Sequence, residues 1–223
     1  MSCDFHVHTY YSDGRESPNV MVQYAKKNGI NRIAITDHDT TEGIKNVDYP
    51  VIPGMEVTTQ FGHVVIICNH PPKELSRKPV ESVIDYAKEN DCIAFPSHPF
   101  DIFREGLGDH IFEYKFDAIE VYNPRAPKSA NKKALDAAKK MNLVELSNSD
   151  SHIKETLGLA YNIIDVSEDA NVDDILSAIK KNKIIENVKL PIPFMVKLKI
   201  LEWGILRRIE KNTRRTMYEV QRN

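Results

Sequence analysis

Short apolar runs alternate along the chain with stretches that have the hydrophobic periodicity of helices. The runs, typical of buried strands, cover residues 33–36, 64–68, 92–95, 118–122 and 143–146. Between two of them, residues 80–87 carry apolar side chains at the spacing of one helix face. Ser17 followed by Pro18 predicts the start of a helix that ends near Asn28. Strands and helices alternating in this way predict an α/β fold with a mostly parallel sheet.

Histidine and carboxylate side chains fall at the ends of these runs. His6 and His8 share one face of a first predicted strand, because successive strand side chains alternate. Asp150 and His152 repeat this spacing after the run at 143–146. Other strand ends carry Asp37, His38, Glu56, His98 and Glu120. Since parallel strands of a barrel open on one face, we expect these side chains to meet there, and imidazole with carboxylate predicts a metal site.

These strand ends carry motifs of a known family. The motifs are Asp4-Phe-His-Val-His, Ser12-Asp-Gly, Thr36-Asp-His-Asp, Gly54-Met-Glu, Ser97-His-Pro and Ser149-Asp-Ser-His. In this order they resemble the motifs of the PHP (polymerase and histidinol phosphatase) metal-dependent phosphoesterases, from Asp4 to about Ile164. The resemblance implies a distorted, TIM-like (β/α)7 barrel with two or three divalent metal ions at the carboxyl ends of its strands.

The resemblance also implies which side chains hold the metal ions. One ion would be held by His6, His8, Glu56 and Asp150, and another by Asp13, His38 and His152. Glu56 would bridge to a further ion, which His98 and one more histidine would complete. For that position His63, at the start of an apolar run, is favoured over His70, which precedes two prolines. This ligand set suits Zn, Mn or Fe ions and does not indicate which of the three is bound.

Such a site predicts hydrolysis of phosphate esters. A metal-bound water has its pKa lowered to roughly 7, and two ions together can hold the attacking and phosphoryl oxygens. We expect Asp150 or His152 to carry the proton to the leaving alkoxide. The predicted contacts to substrate phosphate are Arg15, Arg104 and Arg125, on loops expected at the rim of the site. Glu120 is predicted either to orient a ligating histidine or to have no catalytic role.

Three functions are compatible with these motifs. The leading hypothesis is a phosphatase acting on a small phosphomonoester such as a nucleotide, and a nuclease acting on nucleic-acid ends has the same chemistry. The third is a non-catalytic barrel subunit of a ribonucleoprotein. Such a subunit is expected to lose metal ligands, whereas the motif positions of this chain are filled. The sequence therefore favours an enzyme.

Residues 189–223 differ in charge from the rest of the chain. They contain nine Lys or Arg and three Asp or Glu, a net charge of +6, whereas residues 1–188 carry −8. This asymmetry divides the chain into a barrel at 1–188 and a basic helical extension at 189–223. The predicted helix has an apolar stripe, expected to pack on the barrel or on a second subunit, at Leu198, Leu201, Ile205 and Ile209. Contact with RNA or an acidic partner is the second interpretation, and a membrane-surface helix the third.

Composition predicts a cytoplasmic protein. Of the 223 residues, 41% are hydrophobic and 28% charged, as is typical of globular domains. The sequence suggests no leader peptide and has no apolar run of the roughly 20 residues needed to span a membrane. Cys3, Cys68 and Cys92 are few, widely spaced and set among apolar neighbours. We therefore expect reduced thiols in the core.

Overall fold

The computed structural model describes residues 1–73 and 75–220, with the side chains of the last helix described as far as Ile209. The strands are β1 (Ser2–Val7), β2 (Arg32–Ile35), β3 (Ile52–Thr58), β4 (His63–Ile67), β5 (Ile93–Pro96), β6 (Ala118–Tyr122), β7 (Val144–Ser147), β8 (Ala160–Ile164) and β9 (Ile184–Lys189). The helices are α1 (Pro18–Lys27), α2 (Glu42–Lys45), α3 (Val80–Glu89), α4 (Lys128–Met141), α5 (Val172–Lys180) and α6 (Phe194–Val220). Short 3-10 turns occupy Gly108–Glu113 and Lys154–Thr156.

The strands form a curled sheet that a shorter pair of strands closes. The main sheet has the order β5-β4-β3-β2-β1-β8-β9, and β6 pairs with β7 in a second sheet. β6 contacts β5, while β7 contacts β8 and β9, so the two sheets enclose a common interior. This architecture confirms the predicted α/β class and is consistent with a distorted, TIM-like barrel.

The sheet is mixed, so the prediction of a mostly parallel sheet is wrong. β1, β2 and β3 are parallel neighbours, as are β6 and β7. β4 is antiparallel to β3 and β5, and β8 is antiparallel to β1 and β9. The reversal between β3 and β4 follows from a tight turn, in which the Thr59 N–H donates to the Gly62 carbonyl (2.9 Å). Parallel neighbours need a crossover of about a dozen residues, which this turn does not provide.

The first helix begins where the sequence predicts and supports the first strand. The Val20 backbone N–H donates to Ser17 Oγ (3.3 Å), and Pro18 occupies the first turn, where its missing N–H leaves no bond unmade. The apolar face of α1 is buried, and its Met21 packs in one cluster with Val7 of β1. This packing holds the strand that carries the first two histidines.

β1 is buried along its length. Phe5 packs with Phe95 and Leu146 in the interior of the barrel. His6 and His8 are fully buried as well, although they are polar. Burying an imidazole beside an apolar core costs free energy unless polar groups meet it. The fold therefore requires partners for both histidines at the end of this strand.

Cys68 and Cys92 form a disulfide, with their Cα atoms 4.4 Å apart. Cys68 directly follows β4 and Cys92 directly precedes β5, and these strands are antiparallel neighbours. The expectation of reduced thiols is therefore wrong for this pair, whereas Cys3 is a buried free thiol. The two residues are 24 positions apart, and only the pairing of the strands brings them together.

The helix α6 presents its apolar stripe to solvent. The stripe residues are between 45% and 61% exposed: Leu198, Leu201, Ile205 and Ile209. Contacts between α6 and the barrel include polar bonds of Lys199, Trp203 and Arg207. About half of the stripe's surface is therefore open to solvent, and its packing on the barrel or on a second subunit stays a prediction. Among the described helices, none is long and apolar enough to cross a membrane.

We expect the disulfide to stabilise the fold. Crosslinking a loop of this length removes unfolded-state entropy worth about 3 kcal/mol. Adding reductant to the wild-type protein should therefore lower the free energy of unfolding, measured by urea titration, by about 2–4 kcal/mol. Cys92→Ala lacks the crosslink under both conditions and is the control, whose stability should not respond to reductant. Equal stability of the wild type with and without reductant would contradict this expectation.

Candidate metal centre

Nine imidazole and carboxylate side chains converge at one end of the strands. They are His6, His8, Asp13, His38, Glu56, His63, His98, Asp150 and His152. Their nitrogen and oxygen atoms form four groups, and within each group the atoms lie within 4.8 Å of one another. The structure thus brings together the residues that the sequence nominates as metal ligands, and their ligand roles stay a prediction.

His6 and His8 form one group with Asp150, and Glu56 is a second carboxylate beside them. The Nε2 atoms of the two histidines lie 3.0 Å apart. Glu56 Oε2 lies 3.1 Å from His6 Nε2 and 3.2 Å from His8 Nε2. Asp150 Oδ1 lies 3.7 Å and 3.4 Å from the same two nitrogens. Ligands about 2.0–2.2 Å from one tetrahedral ion lie roughly 3.4 Å from one another, so these atoms have the spacing of a cation site.

A second group surrounds Asp13, whose turn folds it back toward the end of β1. Asp13 Oδ1 lies 3.5 Å from His8 Nδ1 and 3.7 Å from His38 Nε2. Asp13 Oδ2 lies 3.0 Å from His152 Nε2. His8 therefore takes part in both groups, which makes them adjacent positions of one centre.

Glu56 also lies between two further histidines. Glu56 Oε1 is 3.3 Å from His98 Nε2 and 3.5 Å from His63 Nδ1. The Ser97 hydroxyl donates to the same oxygen (2.6 Å). His70 is exposed and lines a different cavity. This placement agrees with the choice of His63 for the position that the sequence leaves open.

Several polar atoms of the cluster are buried without a conventional partner. In the described part of the chain, four of the cluster's buried atoms make no hydrogen bond: His8 Nδ1, Glu56 Oε2, His63 Nδ1 and His98 Nδ1. Buried polar atoms are nearly always hydrogen-bonded, and unpaired imidazole and carboxylate lone pairs suit a divalent transition metal. The donor set of this cluster therefore fits divalent cations.

Glu120 accepts hydrogen bonds from two of the histidines. His6 Nδ1–H donates to Glu120 Oε1 (3.1 Å), and the His98 backbone N–H donates to Oε2 (2.7 Å). The side-chain amides of Asn123 and Asn148 donate to the same carboxylate at 3.0 Å each. A carboxylate behind an imidazole fixes the ring and raises its basicity. Of the two interpretations of Glu120, the structure therefore supports the orienting role.

Two residues of the cluster have a left-handed backbone. φ is 32° at His98 and 50° at Asp150. Such values are uncommon outside glycine and persist where surrounding contacts hold them, often at functional sites. The contacts here come from Glu120, which accepts from the His98 amide, and from Asn123, whose Nδ2–H donates to Asp150 Oδ2 (3.1 Å). The two side chains are thus aimed into the cluster by fixed backbone.

The carboxylates of the cluster favour positive charge on His6 and His8. Burial lowers the pKa of His6, but the carboxylates around it, first among them Glu56, raise it well above the ordinary value. Burial also lowers the pKa of His8, yet hydrogen bonds with Asp150 and Glu56 raise it to about 9. Burial raises the pKa of Glu56, but the neighbouring imidazoles hold it well below its usual range. A divalent cation can replace such protons, since it binds the same lone pairs.

Asp150 and His152 have opposite protonation preferences. Burial raises the pKa of Asp150, but the Arg125 guanidinium and other nearby cations hold it well below its usual range. Burial and, after it, the Arg125 guanidinium lower the pKa of His152 to about 4. Arg125 Nη1 donates to His152 Nδ1 (2.6 Å). At pH 7 Asp150 is therefore ionised and His152 neutral.

Two of the three arginines predicted to bind phosphate line the same cavity as the cluster. This cavity has a volume of about 470 Å³. Arg104 Nη1 donates to Asp150 Oδ2, and its Nε donates to Asp101 Oδ2 (2.9 Å). Arg125 Nη1 lies 3.4 Å from Asp150 Oδ1. The Arg15 side chain is exposed and is not among the described residues that line the cavity.

The helix α6 brings to the cavity residues that the sequence does not nominate. Arg207 and Arg208 line it, and Arg207 Nη1 donates to Asp13 Oδ2 (2.6 Å). The Trp203 indole N–H donates to the Asp13 carbonyl (3.1 Å). The basic charge of the tail is a signal for such a role. The direction in which the helix folds back is set by tertiary contacts, which a sequence pattern does not reveal.

Sequence comparison connects the chain with PHP proteins. A family model described as PHP-associated matches residues 128–184. An uncharacterized protein of Methanocaldococcus jannaschii is 34% identical over 143 residues, which cover 55% of this chain and 82% of that protein.

Solved structures share the fold at lower identity. A two-domain protein from Bacteroides vulgatus, containing a predicted PHP-like metal-dependent phosphoesterase, has a TM-score of 0.65 and 20% identity over 82% of this chain and 63% of that one. The lesion-specific endonuclease PfuEndoQ of Pyrococcus furiosus has a TM-score of 0.61 and 21% identity over 83% of this chain and 58% of that one. This chain thus spans less than two thirds of either structure. Residues 128–184 thus match the PHP-associated family model, and the fold of the chain is that of solved PHP-like proteins.

Proposed function

We propose that this protein is a metal-dependent phosphatase that acts on a small phosphomonoester such as a nucleotide. The observation that carries the proposal is the presence of the cation-sized cluster together with Arg104 and Arg125 in one cavity of about 470 Å³. Sites for small molecules have volumes of about 300–1,000 Å³. The volume of the cavity is therefore suitable for a nucleotide-like substrate. Its walls carry ligands for metal ions and hydrogen-bond donors for a phosphate group.

Different residues of the site would bind the metal ions and the substrate phosphate. The clustered side chains other than His152 would hold divalent ions, which would supply a water of lowered pKa and positive charge for the phosphoryl group. Arg104 and Arg125 present planar guanidinium groups, which match phosphate oxygens in geometry and charge. Both are tied to Asp150, which fixes their position at the wall of the cavity.

We assign proton transfer to His152 and cation binding to Asp150. Asp150 is ionised at neutral pH because its pKa lies well below the usual range, so it carries no proton to donate. His152 is neutral, with a pKa of about 4, and a neutral imidazole can take a proton at a ring nitrogen and pass it to the leaving oxygen. Its contact with Arg125 keeps the imidazole beside an arginine that is proposed to bind the substrate phosphate.

A nuclease acting on nucleic-acid ends is the second candidate. The fold shared with PfuEndoQ favours it, and so do Arg207 and Arg208 of the basic α6 at the cavity. An RNA contact through this helix would belong to the same function. The net charge of −8 on residues 1–188 opposes it, because an acidic surface repels a long phosphate backbone. The phosphatase therefore stands first.

Removing divalent ions should abolish hydrolysis. After dialysis against a chelator, phosphate release from nucleoside monophosphates and sugar phosphates is expected to fall by about 1,000-fold, because metal ions contribute several kcal/mol to such reactions. Adding back Zn²⁺, Mn²⁺ or Fe²⁺ singly should restore it. Oligonucleotides complete the panel, since internal cleavage without phosphate release would favour the nuclease. No hydrolysis of any substrate with any of the three ions would contradict the proposed function.

The predicted arginines should separate into two classes. Arg104→Gln and Arg125→Gln are each expected to lower kcat/KM by about 10- to 100-fold, the usual cost of losing a hydrogen bond to a charged group. Arg15→Gln is the matched control, because its side chain is exposed and lies outside the cavity lining, and its kcat/KM should stay within about twofold of wild type. Equal losses in all three variants would contradict this assignment.

Glu120 should act through His6 rather than on the substrate. Glu120→Gln keeps the shape of the side chain but removes the negative charge of the carboxylate that accepts the hydrogen bond from His6 Nδ1–H. We expect metal affinity, measured by calorimetric titration, to fall about 10- to 100-fold. Glu89→Gln, at the exposed end of α3, removes the same charge away from the site and serves as the control. Unchanged metal affinity in a folded Glu120→Gln protein would contradict this role.

A further inference from the structure

We propose that α6 is a dimerisation helix, along which two copies of this chain pair with their α6 helices parallel and in register. The contact is the solvent-facing apolar stripe of α6, and the two barrels lie on the outer sides of the helix pair. This assembly is independent of the proposed phosphatase function, since it uses the side of α6 that faces away from the barrel.

One side of α6 is fixed to the barrel by polar contacts. Lys199 Nζ donates to Glu155 Oε1 (2.8 Å). The Trp203 indole N–H donates to the Asp13 carbonyl (3.1 Å), and Arg207 Nη1 donates to Asp13 Oδ2 (2.6 Å). Residues four apart lie on the same side of a helix, so these contacts form one row. The helix is therefore held in place before a partner binds, which lowers the entropy cost of pairing.

The opposite side of α6 is apolar and open to solvent. At 3.6 residues per turn, four apolar residues lie roughly 140–180° around the helix from Trp203. They are Phe194, Leu198, Leu201 and Ile205, and their exposed fractions run from 45% to 72%. A contiguous exposed apolar surface of this kind marks a site of interaction. The stripe is thus turned to a partner rather than to the barrel.

The spacing of the stripe is that of a helix that pairs with another helix. The four residues follow one another at intervals of four, three and four, which is the heptad pattern of coiled coils. The next position in the series is Arg208, which lines the cavity of the metal centre instead. The apolar seam therefore covers residues 194–205, a length of about 17 Å. Such a short seam predicts a weak, concentration-dependent dimer.

The charges beside the seam favour a parallel partner helix. Lys197 lies on one edge of the stripe and Glu202 on the other, five positions later, and both are exposed. In a parallel, in-register pair, opposite edges of the two helices meet, so Lys197 lies beside Glu202 of the partner subunit at two symmetric places. In an antiparallel pair like edges meet, and Glu202 would oppose the same carboxylate of the second copy. The charge pattern thus selects one orientation.

A membrane surface fits the same stripe less well. Anionic membranes attract helices whose polar side is rich in Lys and Arg. On α6, Lys199 and Arg207 are already paired with carboxylates of the barrel, and the charges of Lys197 and Glu202 cancel beside the stripe. The Trp203 indole, which suits a membrane interface, donates to the barrel instead. A second copy of the chain is therefore the partner that these contacts favour.

The test measures the mass of the full-length protein by sedimentation velocity between about 1 and 200 µM. The wild type should shift from monomer toward dimer across this range. In Leu201→Glu the dimer dissociation constant should rise at least about 100-fold, because each dimer would bury two unpaired carboxylates. Ile102→Glu is the matched control, since Ile102 is an apolar residue on a loop of the barrel and is 84% exposed. Its dissociation constant should equal that of the wild type.

Two results of this measurement would overturn the dimer. One is a wild type that stays monomeric at 200 µM, and cosedimentation of that monomer with phosphatidylserine vesicles would identify a membrane surface as the partner instead. The other is a dimer that Leu201→Glu leaves unchanged, which would place the interface elsewhere. Circular dichroism of each variant verifies that the fold is retained.

A charge exchange tests the orientation of the helices. Lys197→Glu and Glu202→Lys should each raise the dissociation constant about 3- to 30-fold, because two attractive pairs become repulsive. The double variant restores both pairs and should return to within about threefold of the wild type. Rescue requires no loss of stability elsewhere, so it also guards against a variant that merely unfolds. Absence of rescue in a folded double variant would overturn the parallel pairing.

Discussion

Glu56 and Asp150 are buried carboxylates in the middle of a ring of imidazoles, and the rest of the fold serves to balance their charge. Removing an ionised carboxylate from water costs several kcal/mol unless close partners compensate for the lost hydration. His6 and His8 at the end of β1 and His98 after β5 are among those partners, so the partners come from separate strands. The balance is therefore reached only when the barrel has closed. The same arrangement that satisfies the carboxylates creates a site for divalent cations.

The mixed sheet helps to complete this ring. The start of an antiparallel strand lies at the same edge as the ends of its neighbours. His63 begins β4 and thus lies beside Glu56 near the end of β3 and His98 after β5. A wholly parallel arrangement would place His63 at the opposite edge. The tight turn between β3 and β4 is therefore part of the site's construction as well as a departure from the expected topology.

The sequence predicts the ligands better than their surroundings. Most of the candidate ligands follow or end a local apolar run, whereas His63 begins one and Asp13 lies in a turn. Local spacing therefore identifies His6, Glu56 and Asp150 as candidates without knowledge of the fold. The disulfide and Arg207 depend on contacts between segments far apart in the chain, which local patterns do not encode. The apolar stripe of α6 illustrates a further limit. Its spacing predicts an amphipathic helix, but its polar residues are the ones that bond to the barrel.

The crosslink between Cys68 and Cys92 lies at the end of the β4–β5 pair that is remote from the histidines. A slip of one residue between these strands would turn alternate side chains to the opposite face. A covalent clamp at the far end forbids such slippage. It therefore maintains the strand register that places His63 and His98 on either side of Glu56. The distance between His63 and His98 is therefore constrained by the disulfide at the other end of the two strands, before any cation binds.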